Sequence, residues 1–185
     1  MNKKSYIQNL VMASLFAALT SVCIAWIFHI PIKIGANSAY LHFGDMFIFL
    51  AASLLPTPYA IAAAGIGGGL GDLFCGGAEW IPFTIVIKIL VALCFTAKKD
   101  KIFCTRNVIA PVFVLLITVG GYYVAEALIY GNWVSPVLSI WGNVVQIVGS
   151  AILYYLISFA LQKFNIKKFF SVKIKKYLYV LGLLH

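Results

Sequence analysis

Apolar residues fall along this chain in blocks too long and too continuous for the one-sided faces of soluble helices. The blocks run over 6–30, 43–55, 58–75, 80–97, 108–129 and 137–162, separated by short stretches rich in Pro, Gly and charge. Uninterrupted runs of about 20 apolar residues match the hydrocarbon thickness of a bilayer. The pattern therefore predicts an all-α integral membrane protein with six transmembrane helices, as one domain over 1–185 with a basic tail at 163–185. The second block is the short one: its helix would rise only about 20 Å, so it sits off-centre or is helped by the segment before it. Pro56 and Pro58 restrict the backbone between the second and third blocks, which predicts a tight turn there. The first block is longer than the apolar core of a secretion signal and no small-residue cleavage site follows, so it is expected to be a retained helix.

Composition agrees with the blocks. A chain that is 63% hydrophobic and only 10% charged, with a mean hydropathy of +0.99, lies outside the range of soluble domains. The spans use nearly all of its 185 residues, leaving no room for a separate soluble catalytic domain. A net charge of +9 raises the question of nucleic acid, but the basic residues flank apolar blocks instead of lining one amphipathic face. Placing the N-terminus inside puts every one of the 14 basic residues except Lys33 and Lys88 in cytoplasmic segments. The positive-inside rule thus fixes an N-in, C-in topology in the cell membrane. Asp45, Asp72, Glu79 and Glu126 then fall at the outer face, with Asp100 inside. The segment from Lys163 to Lys176 alternates basic and apolar residues, which suits either an amphipathic stretch on the anionic inner leaflet or simple anchoring.

Charge placement also directs the search for a site, because ionisable groups at membrane depth are costly and usually functional. Polar and aromatic candidates gather on the expected outer half: His42, Asp45, Asp72, Glu79, Trp80, Thr84, Lys88, Tyr122, Glu126, Trp133, Trp141, Asn143 and Gln146. Tyr122 and Glu126 should share one helix face, as should Asn143 and Gln146. Such a mixture suits a small, planar, hydrogen-bonding solute, although each Trp and Tyr would serve equally in an interfacial belt. Lys88, inside a span, must pair or serve, with Asp72 or Glu126 as the expected partner. More acids than bases favour a protonatable or hydroxyl-rich heteroaromatic ring over a dianion. His42 has no second His or Cys at ligand spacing, and Cys23, Cys75, Cys94 and Cys104 form no CxxC pair. Neither a metal site nor a disulfide framework is expected. The glycines at 67–71 follow no strand and lead to no GK[ST], so no nucleotide site or cofactor is expected either.

Small residues recur at helical spacing in two places. Ala13, Ala17, Ser21 and Ala25 line the first helix, and Ala60, Ala64 and Gly68, with Gly65 and Gly69, line the third. Such strips let another helix approach closely, from within the chain or from a partner.

In order along the chain, Tyr40-Leu41-His42-Phe43-Gly44-Asp45, Leu54-Leu55-Pro56-Thr57-Pro58-Tyr59, Gly67-Gly68-Gly69-Leu70-Gly71-Asp72-Leu73 and Pro82-Phe83-Thr84-Ile85-Val86-Ile87-Lys88 resemble the substrate-binding S components of energy-coupling factor (ECF) vitamin transporters. Gly121-Tyr122-Tyr123-Val124-Ala125-Glu126 and Asn143-Val144-Val145-Gln146 resemble the later helices of the riboflavin, pyridoxine and hydroxymethylpyrimidine type. The resemblance implies a six-helix S-component bundle that binds a vitamin or precursor at its outer end. It further implies docking of a transmembrane T component on a first-helix AxxxA strip, matched here by Ala13 and Ala17 with Ser21 beyond, and energy from two cytoplasmic ATPases. A pyridine or pyrimidine precursor is the first expectation for the substrate, riboflavin the second. Two other classes compete. Gly69-Leu70-Gly71-Asp72 matches the GxGD signature of intramembrane aspartyl proteases, with Asp45 as a possible second carboxylate of a proton-sharing dyad. A self-contained carrier is the other, though no second half supplies an inverted repeat.

Overall fold

The computed structural model of the chain describes residues 3–27, 30–34, 37–98 and 101–164, the side chains of 3–4, 30–34 and 37–40 excepted. Six helices carry the fold: α1 (Lys3–Ala25), α2 (Asp45–Leu54), α3 (Thr57–Phe74), α4 (Ile81–Cys94), α5 (Thr105–Tyr130) and α6 (Pro136–Lys163). Their ends follow the local chemistry. Leu55 is extended ahead of Pro56, which stops α2, and α3 restarts at once with Pro58 in its first turn. Gly131 closes α5 in the left-handed conformation. The Asn132 side chain then accepts the N–H groups of Val134 (2.8 Å) and Ser135 (3.2 Å), shaping the turn into Pro136 at the head of α6.

The all-α bundle of six helices stands among the described residues, with one correction to its bounds. The first apolar block does not stay helical to residue 30. The helix ends at Ala25, and the chain then forms an antiparallel hairpin of β1 (Ile30–Ile34) and β2 (Asn37–Leu41), in which Ile30 pairs with Leu41 and Ile34 with Asn37. The reason is local: Pro31 cannot continue a helix, and Ile30, Ile32 and Ile34 alternate with Pro31 and Lys33 at the period of a strand. Length and composition bear on the span count. Among the described residues three helices, Ser5–Ala25, Thr105–Tyr130 and Pro136–Lys163, are long and apolar enough to cross a membrane by length and composition. The 10 residues of α2 and 14 of α4 rise only about 15 and 21 Å, and α3 is diluted by its glycines and Asp72. Among the described residues six helices are present, and three of them meet the measure of a full span.

Packing places α3 between α1 and α4, followed by α5 and α6, with α2 against α1, α3, α4 and α6. The short α2 is nearly all interior: Asp45, Met46 and the run Ile48 to Ser53 are buried. Midway along it Phe49 stacks on Phe95 with centroids 4.9 Å apart, and both meet Tyr154 edge-on. The outward faces are apolar instead, as with Val112, Phe113 and Leu116 on α5 and Leu156 and Phe159 on α6. Apolar surface facing outward on long helices around a partly polar interior is the arrangement that lipid stabilises.

Glycine spacing on α3 makes its two-sided packing possible. A Cβ on Gly67 would lie 2.9 Å from the Ala17 carbonyl oxygen of α1, and one on Gly68 would lie 2.8 Å from Cγ of Lys88 on α4. Adjacent residues of one helix therefore touch two different neighbours, and both contacts are closed to any larger side chain.

Candidate functional site

One turn into the bundle from the hairpin, four helices converge on a charged centre. The Lys88 ammonium donates to Oδ1 of Asp45 at 2.6 Å, and both side chains have no exposed surface. The Gln146 amide donates to the other carboxylate oxygen, Oδ2, at 2.8 Å. From α5, the Tyr122 ring lies 5.4 Å from the Lys88 ammonium, within cation–π range, and its hydroxyl meets Thr84 Oγ1 at 3.2 Å. Each component is positioned by the local fold. Asp45 is the first residue of α2, just after a turn in which His42 Nδ1 accepts the Gly44 N–H at 3.2 Å. The Lys88 stem runs over Gly68, the one width of α3 that leaves it room. Gln146 reaches inward from the first half of α6.

Lys88 thus pairs with Asp45, and not with Asp72 or Glu126 as the sequence suggested. The spacing of Lys88 within its own span says how deep it lies, but not which helix faces it, and α2 is the one driven into the centre. Both oxygens of Asp45 are engaged, by an ammonium and an amide. That arrangement lends no support to the aspartyl-protease reading.

The other named residues divide. His42, Thr84 and Gln146 are buried with the ion pair, and Asp72 and Glu126 are also buried. Trp80 flanks Tyr122, with ring centroids 6.2 Å apart. Glu79 is exposed on the short turn of Ala78–Trp80. Asn143, on the expected face with Gln146, donates to the Ser139 carbonyl within its own helix. Trp133 and Trp141 lie far outside this centre in character, 58% and 75% exposed, as residues of an interfacial belt would be. On α1, Ala13, Ala17 and Ser21 face inward and are buried, packed where α3 presents Gly67.

Some of the centre's surroundings went unread in the sequence. Ser53 and Tyr154 hydrogen-bond at 2.8 Å within the core, and Thr118 and Ser150 are fully buried hydroxyls. A signal existed on α6, where Gln146, Ser150, Tyr154 and Ser158 recur every four residues, so that one face of an apolar helix is polar throughout. The basic tail from residue 165 onward, together with Lys99 and Asp100, lies outside the described residues.

Long apolar helices with a charged, hydrogen-bonded centre enclosed among them define a multi-pass membrane protein of the solute-handling kind. The profile of the ECF-type riboflavin transporter, S component, matches residues 4–163. The chain is 29% identical over 156 residues to the thiamine precursor transporter HmpT of Lactococcus lactis subsp. cremoris (strain MG1363), covering 82% of this chain and 86% of that one. It is also 30% identical over 128 residues to a Pyrococcus woesei protein described as an uncharacterized protein in gap 3'region, covering 67% and 83% respectively. This chain belongs to the ECF-type riboflavin transporter S-component family. It is accordingly a transport subunit and not an enzyme. S components of this family pair with a T component and ATPase subunits.

Proposed function

We propose that this chain captures a small heteroaromatic vitamin precursor of the pyrimidine or pyridine type at the outer face of the cell membrane, for uptake driven by its partners. The observation that carries the reading is the enclosed centre of Asp45, Lys88, Gln146, Tyr122 and Thr84. An ion pair buried this completely is expensive to hold in a bundle, and a protein that needed only packing would do as well with apolar residues. Hydrogen-bonding side chains beside the aromatic faces of Tyr122 and Trp80 suit a flat ring with polar edges. The relative HmpT, whose name specifies a thiamine precursor, supports the pyrimidine choice. Riboflavin is the second reading, favoured by the family description. Glu79, Asn143, Glu126, Asp72 and His42 are proposed as further contacts, with Trp133 and Trp141 as outer-face aromatics.

In this reading six helices traverse the membrane, N-in and C-in, α2 and α4 being shielded by longer neighbours. A transmembrane T component and two cytoplasmic ATPases supply the energy. The first helix is the proposed docking element, and since Ala13, Ala17 and Ser21 pack on α3, the T component would reach them along the seam between α1 and α3.

The test is to co-express the chain with a T component and its ATPases, purify the complex and identify the retained small molecule by mass spectrometry. A pyrimidine or pyridine alcohol is the expected result. Riboflavin would select the second reading, and a complex that retains and binds no vitamin would overturn both.

A further inference from the structure

Thr118 on α5 and Ser150 on α6 are both 0% exposed, and neither hydroxyl has a hydrogen-bond partner among the described residues. That is unusual for a helical hydroxyl, which normally settles on the carbonyl four residues back. Other side chains here do so: Ser14 bonds the Leu10 carbonyl at 3.0 Å, Ser21 the Ala17 carbonyl at 2.7 Å and Asn143 the Ser139 carbonyl at 3.2 Å. Thr118 and Ser150 are turned away from that local option.

Their positions are related. Thr118 precedes Tyr122 by four residues, and Ser150 follows Gln146 by four, so each shares a helix face with a member of the charged centre. The two helices are packed neighbours joined by a short turn and run in opposite directions. One step back along α5 and one step forward along α6 therefore lead to the same side of the ion pair, about 6 Å further from the hairpin. A buried hydroxyl left unmatched costs stability, and two on facing helices at one depth, beside a centre already rich in polar groups, call for a common partner.

We infer that Thr118 and Ser150 form the inner floor of the solute site and hydrogen-bond the polar edge of the bound ring. This rests on the solute-binding reading above and deepens it. A hydroxyl both donates and accepts, so a pair of them matches a ring edge that offers an acceptor nitrogen next to a donor amine or hydroxyl. Aminopyrimidines carry such an edge, with a ring nitrogen beside the exocyclic amine. In a pyridine whose hydroxyl stands one carbon further from the nitrogen the two groups are split, and a purely apolar ring offers neither. The floor thereby selects for the ring's edge, while the ion pair and aromatics act on its face and sides.

The experiment measures binding of hydroxymethylpyrimidine, pyridoxine and riboflavin to the full-length purified chain, by tryptophan fluorescence and calorimetry, together with thermal melting. Thr118→Val and Ser150→Ala are each expected to weaken the probe that the parent binds about five- to tenfold, the worth of one neutral hydrogen bond. Their melting temperatures should equal or exceed the parent's, because each removes an unmatched hydroxyl. Thr118→Ser, which keeps the hydroxyl, should bind as the parent does, and so should Ser158→Ala, whose buried hydroxyl lies two turns beyond Ser150. Higher melting temperatures with unchanged affinity would overturn the floor and leave the solute-binding reading standing. Equal loss in Thr118→Ser and Thr118→Val would overturn it too, by showing that packing and not hydrogen bonding is at issue. A parent that binds none of the three probes would overturn both readings together.

Discussion

The polar centre at Asp45 and the one at Asn107, both among the described residues, are built from different parts. Around Asp45 the bonds run from side chain to side chain across α2, α4 and α6, with Tyr122 of α5 alongside. Around Asn107, at the other end of α5, they run from side chain to backbone. The Asn107 carbonyl oxygen accepts the Thr96 N–H at 2.8 Å, and its amide donates to the carbonyls of Thr96 (2.9 Å) and Ile102 (3.0 Å). Nearby, Gln162 accepts the Phe103 N–H at 3.0 Å, and Arg106 donates to the carbonyls of Leu93 and Cys94 at the end of α4. The second centre consumes backbone groups that the 95–104 connection would otherwise leave unmatched. Its side chains are committed to backbone groups. The first centre matches only side chains, which a chain could have omitted, and that difference separates a site from a staple.

Substitutions can break the distinction in order of severity. Lys88→Met, close in length and apolar, leaves the Asp45 carboxylate enclosed without its cation and should cost roughly 3–5 kcal/mol. Adding Asp45→Asn should restore most of the melting temperature while solute binding stays lost. Full recovery of binding in that double variant would show that the ion pair serves only packing. Asn107→Ala should cost about 1–3 kcal/mol by orphaning backbone groups of the loop, read as a lower thermal midpoint, with vitamin affinity in the surviving folded protein unaltered. A fall in affinity matching that of the Lys88 variant would erase the contrast between the two centres. Arg106→Ala removes an exposed cation from the end of a helix and is expected to change stability by only about 0.5 kcal/mol. Hydrogen exchange at the last turn of α4 is the sensitive measurement there, and slow exchange preserved in the variant would argue against a capping role.

Long-range pairing is what the sequence held back. Block lengths and the two prolines at 56 and 58 marked the helices and the α2–α3 turn, because those are decided by a residue and its near neighbours. Asp45, Lys88, Thr84, Tyr122 and Gln146 were all recognisable as candidates from polarity within apolar runs. That Asp45 answers Lys88, 43 positions away, depends on α2 being pulled inside the bundle, a fact that no local pattern contains. The same reason explains Trp133 and Trp141, whose residue type fits a pocket and a membrane interface alike. The hairpin, by contrast, has a local signal: Ile30, Ile32 and Ile34 alternate with Pro31 and Lys33 at the end of a longer apolar block that masks the change of period.

The glycines of α3 bear on how this helix is held in a membrane. By replacing side chains with bare backbone at Gly67 and Gly68, the helix gains close neighbours on both flanks. Taken alone it would turn two strips of backbone toward lipid, so its fit in the bilayer is tied to α1 on one side and α4 on the other. A side chain added at either glycine would push against Ala17 or Lys88, and a wedge at the second would disturb the helix and the charged centre together.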